Sequence, residues 1–308
     1  MQEEIAIFVY GDSGFDDASG SRFSDLIAKL RDRLPEFTIE GGIDGSPNFG
    51  LKLGLDTLAQ RAPKTVTCVP ATLFGAAHAQ KNLPEAIQTF QTDHPQIHLL
   101  FARDLVVDGR LLAAARDSIV NCERQQPLDG DYHQALLMLV GRQSMSPDEN
   151  ANVAKAARLL WEGMGFGWAE VSYCGDTRPS VSTGMDHALK LGFKRIVVLP
   201  AFLYAEQNIA AISASVEKIA AANSDLEIVQ AEQFQDHPLL VESLVDRIDE
   251  ALQGSNAMNC LHCAYREQVI GVEDHSHDAA QPHSHTHDHD HDHDHEHHHG
   301  HSHPQKDE

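Results

Sequence analysis

The apolar positions of this chain fall into short, β-branched-rich runs separated by stretches of helical period. Ile5-Ala6-Ile7-Phe8-Val9-Tyr10, Val66-Thr67-Cys68-Val69 and Ile196-Val197-Val198-Leu199 are continuous rather than alternating, as expected of parallel strands buried on both faces. The pattern predicts strands near 4–10, 37–42, 65–70 and 96–101, then near 135–140, 168–173, 195–200 and 226–230. Helices are predicted near 20–34, 48–62, 82–92 and 109–122, then near 149–163, 180–191, 206–222 and 238–252. Pro47, Pro84 and Pro179 stand at helix starts, where a missing N–H removes no bond. Strand–helix alternation implies right-handed crossovers and an α/β fold with helices on both faces of parallel sheets.

The pattern also repeats. Ile5–Gly11 reads like Ala135–Gly141, and Val66–Phe74 like Ile196–Tyr204, both at an offset of 130. The expectation is an internal duplication: one half over 1–123, a linker over 124–134 and a second half over 135–254. Each half should hold a four-stranded parallel sheet, with a cleft where the halves face each other. Ligands in such folds sit at the carboxyl ends of the strands, which marks Gly11–Asp17, Asp44–Pro47, Leu73–Pro84 and their counterparts. No GxGxxG or GxxxxGK[ST] occurs there, so nucleotide binding has no support.

Beyond residue 254 the composition changes. Residues 255–272 hold Cys260 and Cys263 as a CxxC, and 273–308 hold fourteen of the 21 histidines, interleaved with aspartates. From His283 to His303 there is no apolar residue, so nothing offsets the entropy of ordering, and a disordered tail is expected. Neutral imidazole and carboxylate are what borderline divalent metals prefer. His287, His289, His291, His293 and His295, alternating with aspartate, are candidate ligands for cobalt, nickel or zinc.

The formal charge is −23, of which 273–308 carry −9 through ten acidic residues and the single Lys306. With no basic cluster to neutralise phosphates, a nucleic-acid partner is excluded. No apolar run approaches the ~20 residues of a membrane span, and Met1-Gln2-Glu3-Glu4 lacks the basic start of a signal peptide. A cytoplasmic protein without a membrane partner is expected. Five cysteines in that setting do not read as a disulfide framework.

Candidate chemistry then concentrates on one loop. His78 follows the third strand, after the small residues Gly75-Ala76-Ala77. A lone loop histidine commonly caps a helix or faces solvent, but this position and its small neighbours leave room for a large ligand. Arg142, Arg158 and Arg178 are candidate partners for substrate carboxylates, although Arg158 reads equally as a solvated helix residue. His94, His98, His133, His187 and His237 show no ligand spacing.

Pro70–His78, Asn82-Leu83-Pro84, Val140-Gly141-Arg142 and Pro147–Glu162 resemble the long form of sirohydrochlorin cobaltochelatase, and the resemblance runs over essentially the whole chain. It implies two flavodoxin-like halves and a lyase that inserts Co²⁺ into sirohydrochlorin without ATP, toward cobalamin. Fe²⁺ or Ni²⁺ insertion, or a non-catalytic cobalt or nickel metallochaperone, are the alternatives. In that family the first strand ends in Gly-His-Gly-Ser, and its histidine works with the one matching His78. This chain reads Gly11-Asp12-Ser13-Gly14, which puts Asp12 at the histidine's place. The second half carries Arg142 and Asn208 at the matching positions, and Asp44 and Glu40 are the acids nearest to the family's carboxylate.

The resemblance thus implies a metal site of Asp12 and His78, with Arg142 and Arg178 toward the tetrapyrrole's carboxylates. Imidazole can accept a pyrrole proton near neutral pH, whereas an ionised carboxylate binds metal but is the weaker base. The resemblance also implies Cys260 and Cys263 as ligands of an iron–sulfur centre. A [4Fe–4S] cluster wants four ligands, so a second chain in a homodimer, or other donors, would complete it. A Co²⁺ or Zn²⁺ site with His262 and the tail, or a redox pair, are the other readings of the CxxC.

Overall fold

The two apolar runs paired by the repeat become the central strands of two sheets. The computed structural model describes residues 5–11, 17–46, 48–74, 79–105, 107–125, 131–144, 146–203, 206–233 and 237–254. The first half runs β1 (Ile5–Gly11), α1 (Asp17–Arg33), β2 (Thr38–Ile43), α2 (Leu51–Ala59), β3 (Thr65–Pro70), α3 (Ala79–Asp93), β4 (His98–Phe101) and α4 (Gly109–Gln125). The second repeats it as β5 (Ala135–Gly141), α5 (Pro147–Met164), β6 (Trp168–Tyr173), α6 (Val181–Lys190), β7 (Arg195–Pro200), α7 (Glu206–Ala222), β8 (Glu227–Gln230) and α8 (Pro238–Leu252). Both sheets have four parallel strands, in the orders β2-β1-β3-β4 and β6-β5-β7-β8. The register repeats as well: Tyr10 lies opposite Pro70, and Val140 opposite Pro200.

Local signals fix several helix ends. Ser146 caps α5 by accepting from the Glu149 N–H, Pro147 follows it, and Gly165 closes the helix at φ 78°. α3 departs from the expectation, beginning at Ala79 so that Pro84 lies in its second turn. α2 is shorter than its periodicity suggested, and α4 continues to Gln125, into the expected linker.

The halves are not independent layers set across a gap. The last helix of each crosses to the other: α4 lies against β7, β8 and α5, while α8 lies against β3, β4 and α1. Side-chain alternation along the central strands follows from this. Ile7 and Val9 face inward with Leu137 and Leu139, in one core that also takes Leu111 and Ile119 of α4 and Leu244 and Ile248 of α8. The intervening Phe8 and Tyr10 face an outer core under α2 and α3, and Met138 and Val140 face its counterpart under α6 and α7. Residues 130 apart thus point the same way in their own halves.

A buried ion-pair network staples the crossing. Arg247 of α8, 3% exposed, donates to Asp108 at 2.6 Å and Glu250 at 3.0 Å, and Arg103 grips Glu250 at 2.7 and 2.9 Å. Arg103 and Asp108 belong to the first half, and Arg247 and Glu250 to the second. The described residues accordingly lie within one compact unit, Met1–Asn259. Away from the strand ends the halves meet through apolar surfaces that bury each other, and the loops expected to line a cleft, 12–16, 75–78 and 204–205, lie outside the described residues.

Candidate active site

What remains for a site is the edge where the strands end. β1 finishes at Gly11, whose carbonyl accepts from the N–H of Asp44, at 3.3 Å, just past β2. β3 finishes beside it, and the Ala71 N–H donates to the Tyr10 carbonyl at 2.8 Å. β1 and β3 are hydrogen-bonded neighbours running in parallel. The chain therefore leaves adjacent strands at one edge, and in sequence Asp12 comes directly after Gly11 and His78 four residues after Phe74. Asp12 and His78 themselves lie outside the described residues, as do Cys260, Cys263, His287, His289, His291, His293 and His295. Among the described residues no three His, Cys, Asp or Glu side chains gather as a metal would require.

The edge is built from buried, polar-tipped groups. Asp44 is 6% exposed. Burial pushes the Tyr10 hydroxyl well above its ordinary range, with the Asp104 and Cys68 charges adding to it, and burial raises the Asp104 carboxyl. Cys68, on β3 below, has its thiol pushed up to about 12 by burial.

Phe74 is unusual. Its φ is +64° and its ring is buried in the shared core. A bulky residue in this left-handed region costs roughly 1–2 kcal/mol, and persists only where the surroundings impose it. Here the surroundings belong to the other half: Asn152 of α5 donates its side-chain N–H to the Phe74 carbonyl at 3.1 Å. Neither the conformation nor the bond had a signal in the hydrophobic pattern. Asn152 lay inside the family-like stretch, yet helical period alone gave it no role.

Among the described residues, two spaces adjoin this edge. A groove of about 310 Å³ opens on the outer face between α2 and α3, lined by Asp44, Lys52, Asp56, Glu85 and Phe90 among others. Its acids suit a cation better than a polycarboxylate, since Lys52 is already paired with Asp56 at 3.0 Å. Between the halves, Thr72, Phe74, Arg142, Glu149 and Phe202 line a space of about 20 Å³. That is on the scale of one water molecule, and no tetrapyrrole enters it.

In the second half the equivalent edge is closed. Arg142, standing where the first half has Asp12, donates to Glu149 at 2.7 Å, and Ser144 donates to the other carboxylate oxygen at 2.6 Å. The Arg142 and Glu149 side chains are 14% and 3% exposed, so this guanidinium is held by an internal carboxylate. Arg178 is exposed, ahead of the cis Pro179 on the same edge. Arg158 lies on the surface, paired with Glu162 and stacked over Trp161. His237 caps α8 through Leu239, and His187 faces Glu170, in keeping with ordinary roles for the scattered histidines.

Comparison with known proteins brings these observations together. The family described as CbiX matches twice, over residues 16–122 and 136–251. A sirohydrochlorin cobaltochelatase of Priestia megaterium is 32% identical over 222 residues, covering 72% of each chain. A sirohydrochlorin ferrochelatase of the same organism is 28% identical over 155 residues, 50% of this chain and 56% of its own. Among solved structures, the sirohydrochlorin chelatase SirB of Bacillus subtilis subspecies spizizenii, in complex with cobalt, superposes with a TM-score of 0.64. At 18% identity over 80% of this chain and 95% of SirB, that likeness is one of fold.

Proposed function

The chain belongs to the CbiX family, and on that premise we propose that it inserts Co²⁺ into sirohydrochlorin as an ATP-independent chelatase of cobalamin biosynthesis. The observation that carries the reading is the match of both halves to the family, with 32% identity to a cobaltochelatase over most of the chain. The ends of β1 and β3 supply the setting, since they launch Asp12 and His78 from neighbouring strands.

Metal insertion requires two pyrrole N–H protons to leave while the cation sheds water. In this reading His78 accepts protons, because imidazole titrates near neutral pH. Asp12 is ionised at that pH and holds the incoming cation against His78. Buried Asp44 adds negative potential at the same edge. The tetrapyrrole lies at this open edge, with exposed Arg178 toward its carboxylates and Arg142, already paired with Glu149, as a second cation. The histidine-rich tail concentrates metal.

The CxxC contributes two thiolates of the four ligands that a [4Fe–4S] cluster takes, so a second copy of the chain or other donors would complete it. We assign Cys260 and Cys263 to such a centre in a homodimer. Among the described residues no helix is long and apolar enough to cross a membrane, and a cytoplasmic setting accords with the substrate.

Iron is the second reading for the metal, because a ferrochelatase also stands among the relatives. The test is anaerobic incubation of pure protein with sirohydrochlorin and either Co²⁺ or Fe²⁺, following the absorption change on insertion. Faster insertion of Co²⁺ than of Fe²⁺ is expected. No acceleration over the protein-free rate, alongside stoichiometric metal binding, would leave a metal store instead.

A further inference from the structure

Phe74, four residues ahead of His78 in the sequence, is anchored from the other half. Among the described residues, Ala62 and Phe74 are the non-glycine positions at positive φ, and Phe74 is the one at the strand edge. Its ring is fixed in the core that the halves share, and its carbonyl accepts from Asn152 Nδ2 at 3.1 Å. Asn152 stands in the second turn of α5, itself fixed by the Ser146 cap and by Glu149, which Arg142 and Ser144 hold. The order of support runs from a closed ion pair in the second half, through α5, to the backbone four residues ahead of His78.

We propose that Asn152 is a positioning residue for metal insertion. Its amide sets the left-handed turn at Phe74, and with it the direction in which the chain departs toward His78. This rests on the reading of His78 as proton acceptor given above. The second half thereby acquires a role of its own. With Arg142 and Asn208 where the first half has Asp12 and His78, it serves as the frame for its twin's loop.

The full-length protein supplies the test. Asn152→Asp keeps the size of the side chain but replaces the donor with a second acceptor facing a carbonyl, while Asn152→Gln keeps an amide. The expected result for Asn152→Asp is a kcat lower by on the order of 10- to 100-fold, the loss a misplaced catalytic group brings, with the KM for sirohydrochlorin within about twofold, because an effect confined to the transition state leaves substrate binding unchanged. Asn152→Gln should recover part of the rate. Hydrogen exchange read by mass spectrometry should quicken in the peptide holding residues 73–84, and stay unchanged in β6 and α6. Unchanged exchange at 73–84, or faster exchange there with wild-type kcat, overturns the proposal. So does a loss of rate that merely tracks thermal destabilisation of both halves. If the wild-type protein inserts no metal, the chelatase reading falls, and local exchange alone decides the anchoring.

Discussion

Arg142 and Glu149 form a 2.7 Å ion pair at the position where the first half places Asp12, and the Glu149 side chain is 3% exposed. Duplicated halves thus put opposite charges at equivalent strand ends. In the second half the chain's own carboxylate meets the cation. Removing one partner of a buried pair strands the other charge, at a cost of about 3 kcal/mol. Arg142→Ala should lower the urea midpoint accordingly, with Glu149→Gln in the same chain restoring part of the loss. Asp12→Ala should leave the midpoint near wild type. A stable Arg142→Ala protein would mean that the pair is not what closes this edge.

The crossed helices make the halves unfold together. Ile248 of α8 is fully buried in the core common to both sheets, so Ile248→Ala should cost about 2–5 kcal/mol in one transition reported equally from either half. Residues 1–125 expressed alone would leave Leu111 and Ile119 of α4 without the sheet they cover, and should not give a cooperative thermal transition. Two separable transitions in the intact protein would contradict the shared core.

Glu250 links that core to pH. Its carboxyl is held below the ordinary range, first by the hydrogen bond from Arg103, against an opposing effect of burial, and by the charges of Arg247 and Arg103. A group with a depressed folded pKa binds its proton more readily when unfolded. Its stabilisation is therefore present above the unfolded carboxylate value of about 4.3, and is lost as pH falls through the lower folded value. Glu250→Gln should be less stable than wild type at pH 7, with the gap closing toward pH 3. Urea titrations at the two pH values check it, and a gap that widens in acid would reverse the assignment.

How far the sequence carried this picture depends on which interactions are local. Strand and helix positions were legible because continuous apolar runs and 3.6-residue periods are properties of neighbouring residues. The twofold plan was legible because Ile5–Gly11 and Ala135–Gly141 share a pattern. The exchange of α4 and α8 was not, since an amphipathic helix such as Gly109–Gln125 carries the same stripe whichever sheet it covers. Arg142 read as a free cation because its partner, Glu149, is set against it only by the turn after β5. The Phe74–Asn152 bond spans 78 residues, and nothing in either residue's neighbourhood announces it.

Thiol chemistry separates the described cysteines from the CxxC. Burial pushes Cys68 up to about 12 and Cys174 up to about 11, and it also raises Cys122. The thiolate is the reactive form, so these three should resist a disulfide reagent at pH 8 in the native protein. Metal-free, anaerobically reduced protein should titrate two fast thiols, Cys260 and Cys263, and five in denaturant. A third fast thiol would show buried Cys68 or Cys174, or half-buried Cys122, to be open, and protection of the pair after reconstitution with iron and sulfide is expected if the pair ligates a cluster.

His78 and Asp12 should differ sharply in what they contribute. A positioned general base is worth on the order of 10²- to 10⁴-fold, and imidazole is the stronger base of the two at neutral pH. His78→Ala should therefore lose activity within that range at saturating Co²⁺. Asp12→Ala should lose far less, and its deficit should appear chiefly as a higher Co²⁺ requirement, because it removes a cation ligand rather than a proton acceptor. Removing residues 273–308 should lower the number of metal ions bound per chain while leaving insertion at saturating Co²⁺ intact. Asp12→His places a second imidazole, which must be neutral to bind metal, so its rate should fall more steeply below about pH 6.5 than that of wild type. Steady-state insertion rates across pH for the wild type and the four variants, with the metal bound per chain counted for the truncation, read all of this, and equal tolerance of His78→Ala and Asp12→Ala would remove the pair as the centre of the chemistry.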